Sequence, residues 1–188
     1  MNSDLSFEDA SSQVLDAGTD KGGDTSLPAS GVENQLESAD QIRRVAMDTA
    51  MRMLALREHS ADELEQKLCG KGHDGDVVVQ VVEELQRLDL QSDDRFVDSF
   101  FRGRLTKGHG PVRIRHDLVR KGIDETLVEE TLTQPAEFWL ELAERARCKR
   151  FGDSLPVGDS SAWTSQARFL AQRGFPSDLI YRVLGSRY

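Results

Sequence analysis

From residue 42 onward the apolar positions recur at helical spacing. Ile42, Val45, Ala46, Thr49, Met53 and Leu56 form one such stripe, which predicts a first helix. Ser60-Ala61-Asp62-Glu63 has the form of a capping box, so a second helix is expected to start there and bury Leu64 and Leu68. Val77, Val78, Val79, Val81 and Val82 have strand propensity. The run is nonetheless read as a third helix, because Glu83, Glu84 and Gln86 continue a 3.6-residue pattern.

The same succession then occurs twice more. Leu68-Cys69-Gly70-Lys71-Gly72-His73 is matched by Leu118-Val119-Arg120-Lys121-Gly122-Ile123 and by Leu170-Ala171-Gln172-Arg173-Gly174-Phe175. In each block a helix ends on a cation, where the macrodipole favours positive charge. A glycine suited to the left-handed conformation follows, and an apolar or aromatic residue then returns to the core. His73 holds that last position in the first block and is expected to be partly buried. Ser92 caps the first helix of the second copy, which carries Phe96, Phe100 and Leu105. Gly110-Pro111 opens its second helix, with Ile114 and Leu118 inward, and Asp124 caps the third. The third copy opens at Pro135 with Phe138, Leu142 and Ala146. A loop from Phe151 to Ser160 comes next, then a helix with Trp163, Ala167 and Leu170, and Pro176 suits the first turn of the last helix.

Periods of this size indicate stacked units, each too small to fold well alone. The expected fold is all-α: three tandem three-helix repeats over residues 41–90, 91–134 and 135–188, forming an elongated, curved helical solenoid. Residues 1–40 show no period. They hold nine acids and one base, for a net charge of −8, together with Gly22-Gly23 and Pro28. Such a segment buries too little apolar surface to offset chain entropy, so a disordered acidic tail is expected.

Composition narrows the function. No cationic start leads into an apolar run, and no stretch approaches the length of a membrane span, so neither a signal peptide nor a membrane role is expected. Two cysteines, Cys69 and Cys148, suit a reducing cytoplasm. Cys69 and His73 make no metal site, since glycines end the helix between them and no second ligand pair exists. Gly108-His109-Gly110-Pro111 lacks the strand and the Gly-Lys-Ser/Thr of a phosphate loop. Nothing assembles a nucleophile, a base and an orienting group, so no enzyme and no cofactor is expected.

Charge distribution carries more. Residues 61–94 have a net charge of −7 and residues 95–122 a net of +6, although the chain as a whole is −9. Arg102, Arg104, Lys107, Arg113, Arg115, Arg120 and Lys121 make up most of that basic run, and Arg145, Arg147, Lys149 and Arg150 add a second. The local, unmatched excess predicts a cationic binding face for an acidic protein surface or a phosphate backbone.

Four separated motifs together resemble the RecX family of regulatory proteins. They are Ala55-Leu56-Arg57-Glu58-His59-Ser60 with Glu63-Leu64 and Lys67-Leu68; Asp93-Asp94-Arg95-Phe96 with Phe100 and Arg102; Gly108-His109-Gly110-Pro111 with Arg113-Ile114, Asp117-Leu118 and Lys121-Gly122-Ile123; and Ala167-Arg168-Phe169-Leu170 with Arg173-Gly174-Phe175. The likeness covers roughly residues 42–184. RecX proteins are non-enzymatic modulators of the RecA recombinase. The resemblance implies binding to RecA and to the RecA–DNA filament, with inhibition of ATP hydrolysis and strand exchange by blocked filament growth or promoted disassembly. A monomer is expected. Three-helix units with a glycine turn also resemble helix-turn-helix arrangements, so direct, weak DNA binding is the alternative reading.

Overall fold

A computed structural model describes residues 29–156 and 161–185 of the chain, and these residues form nine helices and no strand. The first repeat holds α1 (Ala29–Leu54), α2 (Ala61–Cys69) and α3 (Gly75–Arg87). The second holds α4 (Asp93–Thr106), α5 (Pro111–Val119) and α6 (Glu125–Leu132). The third holds α7 (Ala136–Phe151), α8 (Ser161–Gln172) and α9 (Ser177–Leu184). The valine-rich run is helical, as its polar spacing predicts. The three block glycines take the left-handed conformation, with φ of 91° at Gly72, 72° at Gly122 and 86° at Gly174.

Two expectations at the start of the chain are corrected. The disordered segment was expected to reach residue 40, but α1 begins at Ala29; the reading of residues 1–28 lies outside the described residues. The buried face of α1 also keeps only part of the predicted stripe, Ala46 and Met53. Ala46 and Ala50 are fully buried, with Met47, Met53 and Leu54 packed beside them, whereas Ile42, Val45 and Leu56 are exposed. Alanines four apart let α1 approach α3 closely, and the bulkier residues one position away are left on the rim.

The cap residues act as expected, with one change. Ser60 Oγ accepts from the Glu63 amide at 3.1 Å, Ser92 Oγ from the Arg95 amide and Asp124 from the Thr126 amide. The return bond of a capping box is missing at Ser60, because the Glu63 carboxylate is drawn off to Arg57, Lys67 and Lys121.

Apolar burial divides the chain unequally. Repeat one has its own core of Leu64, Leu68, Val78, Val81, Val82 and Leu85 with the two alanines. Repeats two and three share one core, including Phe96, Ile114, Leu118, Trp139, Trp163 and Leu170. His73 is half-buried, in keeping with its place in the block, and its counterparts Ile123 and Phe175 are buried.

The repeats are joined the same way twice. The end of α8 presents the Arg173 and Gly174 carbonyls to the start of α5, where they accept from the Gly110 and Val112 amides at 2.8 and 3.1 Å. The end of α5 presents the Lys121 carbonyl to the start of α2, where it accepts from Ser60 Oγ at 2.7 Å. The three middle helices thus run head to tail, C-terminal carbonyls facing N-terminal donors, an orientation the helix dipoles favour. No side chain fits at the contact: a Cβ on Gly174 would lie 2.4 Å from Arg113 Cβ, and one on Gly122 would lie 2.5 Å from Asp62 Cβ. Every inter-repeat hydrogen bond among the described residues links sequence neighbours, as a tandem solenoid requires.

Candidate functional site

The basic stretch read from the sequence does not survive as one free face, because acids from other turns and repeats reach several of its members. Arg104 Nη2 lies 3.1 Å from Asp117 Oδ2, and its guanidinium sits 4.4 Å from the centroid of Phe100. Arg115 pairs with Glu129, and Lys121 Nζ is 3.2 Å from Glu63 Oε2 across the repeat boundary. Arg102 makes only a loose exposed contact with Asp98 at 3.8 Å, and Arg113 reaches Asp117 at 4.0 Å. Such exposed pairs leave most of the charge available. The expected excess is therefore real but partly matched in space.

Arg147 is a clear correction. It was placed on the cationic face, but it is buried. Its Nη1 donates to the Gly152 and Ser154 carbonyls at 3.1 Å each, and its Nη2 donates to the Asp153 carbonyl at 3.2 Å. A planar fork of donors suits three converging carbonyls. The residue holds the turn after α7 and has no charge to offer a partner.

Lys107, Arg120, Arg145, Lys149 and Arg150 have no ion pair among the described residues. Four of these five converge. Lys107, at the end of α4, and Arg145, Lys149 and Arg150, on α7, line a groove of about 700 Å³ between repeats two and three. Arg173, at the end of α8, completes it, a residue that the sequence marks as a helix terminator and as part of a family motif but not as a member of the cationic face. Its alignment with Lys121 in the repeat block was the available signal. Phe138 and Phe169 supply apolar wall, and no carboxylate lines the groove.

The groove has counterparts. Val45, Thr49, Arg52, Met53, Leu56 and Lys71 line the equivalent space in repeat one, about 520 Å³. Phe96, Phe100, Gly103, Arg104, Lys107 and Lys121 line it in repeat two, about 280 Å³. The spacing along each first helix is the same: 45, 49, 52, 53 and 56 in and just beyond α1; 96, 100, 103, 104 and 107 in and just beyond α4; 138, 142, 145, 146 and 149 in α7. Each set faces the cation that ends the second helix of its own repeat. In repeat two the lining holds Arg57, Arg104, Lys107 and Lys121 with Glu58, and Glu63 and Asp117 pair with Arg57, Lys121 and Arg104. In repeat three no acid stands among the lining residues.

Glu63 is the electrostatic centre of the first junction. Burial pulls its carboxyl upward, but hydrogen bonds from Arg57, Lys67 and Lys121 outweigh that and hold it well below the usual carboxylate range. Near the second junction, burial and the charges of Arg104, Arg113 and Arg173 push the His109 imidazole below its ordinary pKa, against a smaller opposing pull from Asp117. Burial first, and the surrounding cations second, disfavour a charged imidazole there.

Among the described residues no group of three His, Cys, Asp or Glu side chains could hold a metal, and no helix is long and apolar enough to cross a membrane. The arrangement defines an all-α tandem-repeat protein whose open chemistry lies in grooves between repeats. Models of the first, second and third three-helix domains of RecX match residues 46–85, 92–132 and 137–184. The regulatory protein RecX of Legionella pneumophila is 42% identical over 138 residues, 73% of this chain and 91% of that one. That of Halorhodospira halophila is 37% identical over 145 residues, 77% and 89% of the two chains. The chain belongs to the RecX family. Two solved structures share the fold. A crystal structure of RecX from Lactobacillus salivarius has a TM-score of 0.64 at 21% identity, covering 79% of this chain and 97% of that one. A crystal structure of regulatory protein RecX has a TM-score of 0.69 at 20% identity, covering 90% and 80%.

Proposed function

We propose that this protein regulates the RecA recombinase by binding RecA and the RecA–DNA filament, where it blocks filament growth or promotes disassembly and so lowers ATP hydrolysis and strand exchange. Family membership supplies the partner. The observation that carries the mode of action is the row of three repeats whose middle helices are joined end to end by hydrogen bonds, from the Ser60 hydroxyl at the first junction and from backbone amides at the second. A row of that kind contacts neighbouring subunits of a filament at once, and contacts spread along a rigid element reinforce one another. The exposed cations Arg102, Arg113 and Arg120 face acidic protein surface, and Lys107, Arg145, Lys149 and Arg150 extend the same charge into repeat three. Arg104, Arg115 and Lys121 contribute less, because each is held by an acid of this chain, and Arg147 contributes nothing. The protein acts as a monomer in the cytoplasm, without a cofactor and without chemistry of its own.

Co-sedimentation with preassembled RecA–DNA filaments tests the reading. The wild-type protein should pellet with the filaments. A variant with Arg102, Arg113 and Arg120 changed to Glu should pellet at least several-fold less, with its helical CD signal intact. Wild-type protein left in the supernatant at every filament concentration would overturn the proposal.

A further inference from the structure

We infer that the groove of repeat one is the docking site for a segment of this same chain, residues 4–16, which runs back along α1 and closes the exposed end of the row of repeats. The inference goes beyond the proposed function and stands whether or not the chain binds RecA.

Three grooves share one plan, and two of them are walled by the repeat that precedes. In repeat two that wall includes Arg57 and Glu58, from the turn after α1. In repeat three it is Leu105, Thr106, Lys107 and Gly108, from the end of α4 and the turn beyond it. No described repeat precedes repeat one, and every residue lining its groove comes from α1, the turn that follows, or the end of α2. The terminal unit of a solenoid ordinarily presents a polar outer face. Here that face stays apolar. Leu56 is 86% exposed at the position where the other repeats carry Lys107 and Lys149. Val45 is exposed, whereas its counterpart Phe96 is buried and Phe138 is half-buried. Ile42, one turn before Val45, is exposed as well, and Met53 lines the same groove. Neighbouring apolar side chains left in water mark a surface that another segment covers. Arg52 and Lys71 border this one without an ion pair among the described residues, and no acid lines it. The matching occupant is therefore apolar and acidic.

The chain before α1 has that character, and in the order required. Residues 4–16 hold Leu5, Phe7, Val14 and Leu15 together with Asp4, Glu8, Asp9 and Asp16, and no base. Residues 17–28 hold Gly18, Gly22, Gly23 and Pro28, with Leu27 as the one large apolar residue, which is the composition of a spacer. Val45 lies about 24 Å along α1 from Ala29, and the end of the helix lies about 14 Å further. The spacer, residues 17–28, spans at most about 40 Å when extended. It can thus bring Asp16 to Val45 and leave Leu15, Val14, Phe7 and Leu5 to continue past Met53 to Leu56. Such a segment buries too little to fold alone, but a surface already built asks less of it. Its covalent link holds it near the groove at an effective concentration on the order of millimolar, so a weak contact keeps the groove filled.

The experiment is brief chymotrypsin digestion of the full chain, with cleavage after Phe7 and Leu15 followed by mass spectrometry. The L56K variant places in repeat one the residue found at 107 and 149, on an exposed site, and its CD signal should match wild type. Where docking is fast, cleavage tracks the undocked fraction, so wild type should be cut at least about fivefold more slowly than L56K. R52E/K71E should lose protection in the same way. V79K makes the same kind of exchange on an exposed position of α3 and should be cut as wild type is. Equal rates for wild type and L56K would overturn the inference, and so would an equal loss of protection in V79K. Protection that rises with protein concentration would also overturn it, since the groove would then take the segment of a second copy. Hydroxyl-radical labelling reads the other side of the contact. Leu56 should be labelled at least about threefold faster in an F7S/L15S variant than in wild type, with Met51, exposed outside the groove, unchanged. Equal labelling of Leu56 in the two proteins would contradict the docking.

Discussion

At the scale of single residues, Arg147 and Glu63 show charge used for construction. Arg147 satisfies three carbonyls of the turn at 152–154 from a buried position. Removing it strands those acceptors, so Arg147→Ala should lower the unfolding free energy by about 2–4 kcal/mol, whereas Arg150→Ala should change it by less than about 0.5 kcal/mol. Urea denaturation of the two variants checks this. Lysine should not restore the loss, because it cannot present the same fork of donors. Glu63 gathers three cations from two repeats, and its pKa is depressed in the folded chain. Its contribution is therefore fully present above its ordinary value of 4.5 and is lost as pH falls below that value toward the lower folded pKa. Glu63→Gln should cost about 2 kcal/mol at neutral pH and progressively less as pH falls below 4.5. Thermal unfolding of both proteins between pH 7 and pH 3 tests it; parallel curves would contradict the assignment.

At the scale of elements, the glycine that ends each middle helix serves two purposes that can be separated. Gly72 and Gly174 both have positive φ, but only Gly174 is pressed against a neighbouring helix. Gly72→Ala should cost only the conformational term, about 1 kcal/mol. Gly174→Ala adds a collision with the start of α5 and should cost at least about 2 kcal/mol more. Equal losses in denaturant titrations would show that the head-to-tail junction is not held as described. The element pattern was legible in the sequence because helix ends are written locally: Ser60, Ser92 and Asp124 cap what they precede, and the repeat block marks three helix ends. The buried face of α1 was legible only in part: Ala46 was on the predicted stripe, but the burial of Ala50 and the exposure of Ile42 and Val45 depend on how near α3 can come, a tertiary distance that periodicity does not contain.

At the scale of the molecule, the candidate site was half legible. Lys107, Arg145, Lys149 and Arg150 were marked by local charge excess and do share one groove. Arg104, Arg115 and Lys121 looked equally free along the chain, but their partners Asp117, Glu129 and Glu63 lie 13, 14 and 58 positions away, distances at which a run of charge carries no information. Arg147 looked like its neighbours because nothing in the sequence distinguishes a cation that points at water from one that points at carbonyls. The asymmetry that results is structural: repeat one is acidic, self-contained in its core and joined by polar contacts, while repeats two and three share a core and present the open groove.

The measurement that bears most directly on this account is DNA-stimulated ATP hydrolysis by RecA, followed as the protein is added. With wild type the rate should fall progressively. It should fall much less with a variant carrying Glu at Arg113, Arg120, Arg145 and Lys149. An unchanged rate at saturating wild-type protein would contradict the account.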